Sequence, residues 1–168
     1  MSTDALPVDA ALPELRAALA EQGAAVLVAP PGTGKTTGVP PALLHEPWAL
    51  GRRIVITQPR RMAARAAAAR MAAQAGQRVG ATFGYSVRGD RRVGTDTRVE
   101  LVTEGLLLRR LQADPSLDGV AAVLIDELHE RSLDVDLLLA LLVDVRSSLR
   151  PDLRLVAMSA TLDPAPVA

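Results

Sequence analysis

Short apolar runs alternate along this chain with longer stretches whose apolar residues recur at helical spacing or whose composition is rich in alanine. Residues 9–22 place Leu12, Leu15 and Leu19 on one face, which predicts a helix with Asp9 as N-cap, Pro13 in the first turn and Gly23 as its end. Residues 24–29 (AAVLVA) are apolar throughout, the pattern of a strand covered on both faces. A helix from 35 to about 45 should follow, although Pro40 and Pro41 fall in its middle. The alternation then repeats, with strands at 54–57, 82–87, 98–103, 121–125 and 153–158 and helices at 61–74, 104–112 and 133–149. Strands and helices in this order imply an α/β domain, mainly a parallel sheet with helices on both faces. In such sheets ligands bind beyond the carboxyl ends of the strands.

At 168 residues the chain fits a single domain with one continuous core. Phe83, Tyr85 and Trp48 are its only aromatics, so alanine, leucine and valine must build that core. It contains no cysteine, which excludes disulfides and thiolate metal sites and fits a reducing compartment. There is no secretory leader pattern at the N-terminus and no apolar run near the roughly 20 residues that span a bilayer. The expectation is a cytoplasmic protein with no membrane partner.

The net charge is zero, yet the segment 52–98 holds eleven arginines against Asp90 and Asp96, a local +9. One stretch can therefore meet a polyanion while carboxylates concentrate elsewhere. Lysine is used once, at Lys35, inside APPGTGKTT (29–37). The P-loop pattern G-x-x-x-x-G-K-[ST] is met here with Ala29 in place of the first glycine, followed by Pro31, Gly32, Thr33, Gly34, Lys35, Thr36 and Thr37. Gly32 and Gly34 let backbone N–H groups turn inward toward phosphate at a helix N-terminus. Lys35 is placed to reach the β- and γ-phosphates and the Thr36 hydroxyl to meet Mg²⁺, so ATP and Mg²⁺ are the expected cofactors.

The run 121–125 leads directly into Asp126-Glu127-Leu128-His129. A carboxylate at the end of a buried strand needs a cation to offset its desolvation, which makes Asp126 the metal residue together with Thr36. Glu127, one position on, suits a base that orients the attacking water.

These motifs together resemble the first RecA-like domain of DEAH-box helicases in superfamily 2, most closely the HrpB-type ATP-dependent helicases. APPGTGKTT is similar to motif I, TQPRR (57–61) to motif Ia, TEG (103–105) to motif Ib, DELHER (126–131) to motif II and SAT (159–161) to motif III. GYSVR (84–88) is similar to a further family segment, and Leu128 in place of alanine fits the HrpB-type subgroup. The resemblance implies coupling roles for His129, Ser159 and Thr161. It also implies single-stranded nucleic-acid contacts, to RNA rather than DNA, for Arg60, Arg61, Thr103 and Gly105. It implies that Arg70 stacks on adenine, while Arg65 reads as a surface solubility charge.

By this resemblance, residues 1–22 form an N-terminal segment and helix, and residues 23–168 the helicase ATP-binding domain. The second RecA-like domain, the partner that completes the ATP cleft, would lie outside the chain, leaving the fragment unable to unwind a duplex. Two other readings remain open. One is a P-loop kinase or GTPase, although no N-K-x-D guanine signature is present. The other is a nucleotide-regulated interaction module.

Overall fold

The computed structural model describes residues 7–161. Seven strands form one sheet: β1 (Ala24–Val28), β2 (Arg53–Gln58), β3 (Phe83–Val87), β4 (Asp90–Arg92), β5 (Val99–Thr103), β6 (Val120–Ile125) and β7 (Arg154–Ser159). Their order is β1-β7-β6-β2-β5-β3-β4. Every neighbouring pair is parallel except β3 with β4, which form an antiparallel hairpin at one edge. The parallel register puts the ends of β1, β7, β6, β2, β5 and β3 along one rim of the sheet.

Alternation along the central strands sorts the core into two layers. Ile54, Ile56, Leu124 and Val156 face one side and pack with α1 (Leu12–Glu21), α2 (Lys35–Leu43) and α3 (Arg61–Gln74). Val55, Val123, Ile125 and Leu155 face the other and pack with α4 (Glu104–Ala113) and α5 (Leu133–Ser148). Both faces are thus covered, as the unbroken apolar runs predicted.

The predicted 9–22 helix divides in two. Residues Pro7–Ala11 form a 3-10 turn, and α1 follows with Ala11 as an N-cap that makes no side-chain cap bond, so Asp9 is not the cap. Leu12, Leu15 and Leu19 are buried, and Val8 N–H donates to the Thr33 carbonyl at 3.1 Å. The N-terminal segment therefore braces the glycine loop. The α2 helix runs through Pro40 and Pro41, both inside it. Strand β4 is not predicted, because Asp-Arg-Arg carries no apolar alternation; it pairs antiparallel with Tyr85, Ser86 and Val87, and its Asp90 Oδ2 accepts from the Tyr85 hydroxyl at 2.7 Å. No helix among the described residues is long and apolar enough to cross a membrane.

Candidate nucleotide site

The glycine loop lies between β1 and α2. Gly32 (φ +76°) and Gly34 (φ +91°) take left-handed backbone that a side chain would strain, and Gly34 is the N-cap of α2. Ala29 replaces the usual first glycine without cost to the turn: the only non-glycine residues described with positive φ are Leu117 and Glu127. The backbone N–H of Ala29 donates to the Ser159 carbonyl at 3.0 Å, which pins the loop to β7. Lys35 is buried, and its Nζ donates to the Ala29 carbonyl at 3.0 Å. The ammonium is thus held inside the loop by one neutral acceptor, a partner that an anionic phosphate oxygen would outcompete.

Asp126 ends β6 fully buried. Its Oδ2 accepts from the Thr36 hydroxyl at 2.5 Å and from Gln58 Nε2 at 2.7 Å, while Oδ1 accepts from Glu127 N–H at 2.9 Å. Thr36 and Asp126 thus bring two hard oxygen donors together where α2 begins and β6 ends. That donor set suits Mg²⁺, which takes one or two protein oxygens and fills its other positions with water and phosphate. Gln58 was not singled out from the sequence. The available signal was its place at the end of a buried strand that lies beside β6, where Thr57 pairs with Ile125.

Glu127 adopts φ +57°, an uncommon conformation for a side-chain-bearing residue. Burial and the Asp126 charge push its carboxyl above the ordinary glutamate value, against the opposing pull of His129 and Lys35. His129 Nδ1 accepts the Ala160 N–H at 3.1 Å, and Nε2 lies 3.0 Å from Glu127 Oε2. An imidazole that accepts at Nδ1 carries its proton at Nε2, so it donates to Glu127 even when neutral. The histidine therefore joins the acidic turn to the turn after β7. The Ser159 hydroxyl donates to the Thr161 carbonyl and accepts the Thr161 N–H, within its own turn. The described bonds across to the acidic turn come from backbone, Ala160 N–H to His129 and Leu128 N–H to the Met158 carbonyl.

A cavity of about 200 Å³ lies over the loop, lined by Pro31, Gly32, Gly34, Lys35, Thr36 and Thr37 together with Arg70 and Glu127. Arg70 reaches it from α3, so the structure gathers the phosphate loop, acidic residue and arginine into one site. Thr33 instead turns its hydroxyl back to the Pro30 carbonyl at 2.7 Å. Arg60 and Arg61 follow β2 as exposed residues, with Arg60 3.9 Å from Glu130, while Thr103 ends β5 and Gly105 lies in the first turn of α4 on the same rim. Arg65 is more than a solubility charge. It pairs with Asp90 at 3.2 Å and lies 6.0 Å from the centre of the Tyr85 ring, tying α3 to the β3–β4 hairpin.

A parallel sheet whose first strand feeds a phosphate loop, with an acidic residue on a nearby strand end facing that loop's threonine, defines a P-loop domain of the RecA-like class. The chain belongs to the DEAD/DEAH box helicase family, whose model matches residues 10–168. It is 51% identical over 158 residues to the ATP-dependent RNA helicase HrpB of Escherichia coli (strain K12), covering 94% of this chain and 19% of that protein. It is 47% identical over 139 residues to a probable ATP-dependent RNA helicase DHX35 homolog of Caenorhabditis elegans, covering 82% of this chain and 19% of that protein. A crystal structure of the E. coli DEAH/RHA helicase HrpB superposes with a TM-score of 0.89 at 51% identity, over 94% of this chain and 20% of that one. The chain thus spans about a fifth of the length of these relatives.

Proposed function

We propose that this chain is the ATP-binding domain of an ATP-dependent RNA helicase. The observation that carries the proposal is the meeting of Lys35, Thr36 and Glu127 around one cavity, with the buried Asp126 accepting from the Thr36 hydroxyl at 2.5 Å. Lys35 leaves the Ala29 carbonyl to meet the β- and γ-phosphates, and the backbone N–H groups of 32–37 cradle them. Thr36 and Asp126 hold Mg²⁺, which when bound offsets phosphate charge. Glu127 orients water, its raised carboxyl suited to accepting a proton, and Arg70 stacks on the base. His129 carries the state of this turn to the backbone of 159–161.

Arg60, Arg61, Thr103 and Gly105 bind the backbone of single-stranded RNA along the rim formed by the ends of β2 and β5, through contacts that do not read sequence. The names of the relatives as RNA helicases support RNA over DNA. A second RecA-like domain of the same protein supplies the opposite wall of the cleft, and the domain proposed here occupies 23–168 with 1–22 as its N-terminal brace. The test is ATP hydrolysis by the full-length protein with and without single-stranded RNA or DNA. Stimulation by RNA that disappears in Glu127→Gln supports the proposal. Turnover indifferent to nucleic acid would favour a kinase-like or GTPase-like enzyme, and turnover unaffected by Glu127→Gln would remove the mechanism.

A further inference from the structure

A larger cavity, about 590 Å³, opens at the other end of the sheet, where β2, β5 and β6 begin and α4 passes over them. Val55, Leu107 and Leu117 give it an apolar floor. Glu100 is part of its wall, with a side chain only 1% exposed. One Glu100 oxygen accepts from Arg110 Nη2 and Ser86 Oγ, both at 2.6 Å, and the other from Arg53 Nη1 at 3.1 Å. Two guanidiniums around one carboxylate leave a charge of +1. The arginines, 26% and 34% exposed, line the cavity together with the almost fully buried Glu100.

Arg98, also in the wall, adds a second positive charge. Its guanidinium donates to the carbonyls of Arg52 and Ala49, which are neutral and leave that charge in place. Arg52 is offset by Asp152 at 3.1 Å, and the exposed Asp114 and Asp118 also line the cavity. Arg53, Arg98 and Arg110 thus gather beside an apolar floor, in a cavity they share with Asp114 and Asp118.

We infer that this cavity is a second ligand site, for a small organic anion, a carboxylate or a phosphate monoester, that carries an apolar body. The anionic oxygens meet Arg53, Arg98 and Arg110, and the body rests on Val55, Leu107 and Leu117. Its volume falls in the range of about 300–1,000 Å³ usual for small-molecule sites, with a few convergent polar groups on an apolar lining. Guanidinium forks match planar carboxylate and phosphate oxygens, and Glu100 orients two of them before any ligand arrives.

The test is a titration of the 168-residue chain with phenyl phosphate, with phenylacetate and with uncharged benzyl alcohol, followed by NMR shifts of Val55, Leu107 and Leu117. Saturable shifts with at least one anion, and none with the alcohol, are expected; which anion binds separates phosphate from carboxylate ligands. Arg110→Gln should weaken that binding by roughly ten- to a hundredfold, the usual effect of losing a charged hydrogen bond. Ala113→Glu, an exposed change at the cavity wall that leaves the Glu100 contacts intact, should weaken it at least about tenfold by charge repulsion. The inference is overturned if no saturable shift occurs, if the alcohol shifts these residues equally, if shifts are confined to the phosphate loop, or if Ala113→Glu binds as the wild type does.

Discussion

Gln58 holds Asp126 from the side, its Nε2 2.7 Å from the same Oδ2 that the Thr36 hydroxyl reaches at 2.5 Å. A buried carboxylate with three donors is fixed in one orientation, so its other lone pairs face the loop where a metal would sit. Gln58→Ala removes one donor and leaves the carboxylate under-satisfied. The expected loss is about 1–3 kcal/mol of stability, measured by urea unfolding, together with weaker Mg²⁺ dependence of nucleotide binding.

Glu127 combines an uncommon backbone conformation with a chemical role, and the two can be separated. Glu127→Gly relaxes the positive φ, an effect of about 1 kcal/mol at most after the added chain entropy. The thermal midpoint should hold or rise. Hydrolysis by the full-length protein should fall by roughly 10²–10⁴, the usual contribution of general acid–base catalysis, and Glu127→Gln should show the same loss in activity assays.

His129 bonds to both turns that flank the cleft. His129→Ala should leave ATP affinity of the full-length protein within about twofold while reducing RNA-stimulated turnover at least about tenfold. Equal loss of affinity and turnover in steady-state kinetics would place the residue in nucleotide binding instead.

Two buried glutamates should give opposite pH signatures. Burial would raise the Glu100 carboxyl, but hydrogen bonds from Arg110 and Ser86 and the charges of Arg110 and Arg53 outweigh it and hold it below the ordinary 4.5. Its contribution is full above pH 4.5 and fades as pH falls through the lowered folded value, so Glu100→Gln should destabilise at pH 7 and much less near pH 3. Glu104 is raised, chiefly by burial, with Asp134 and Glu130 adding to the rise against the Ser132 hydrogen bond; its Oε1 has no partner among the described residues. Its neutral form suits the fold, and that stability is lost as pH rises through the raised folded value. Glu104→Gln should therefore stabilise at pH 7 and have little effect at pH 4, by urea midpoints at each pH.

The sheet and both helical layers were legible because strands covered on two faces read as unbroken apolar runs. The phosphate loop and acidic pair were legible because each is contiguous in sequence. Gln58 was not, since its partner Asp126 is 68 positions away and only the neighbouring of β2 and β6 joins them. The same distance problem hid the Arg65 pair with Asp90 and the triad at Glu100. At residues 158–160 the described link to His129 and Leu128 is made by backbone N–H and carbonyl groups, which no side-chain pattern announces.

The central claim is that Lys35 and the Thr36–Asp126 pair hold Mg–ATP. Its most direct test is titration of a fluorescent ATP analogue into this chain, with Mg²⁺ and with chelator, for the wild type, Lys35→Ala and Lys35→Arg. Saturable binding that weakens at least about tenfold without Mg²⁺ and in both variants is expected, because a guanidinium fork does not replace a compact ammonium inside the loop. Binding of equal strength in the wild type and Lys35→Ala, or no dependence on Mg²⁺, would contradict it.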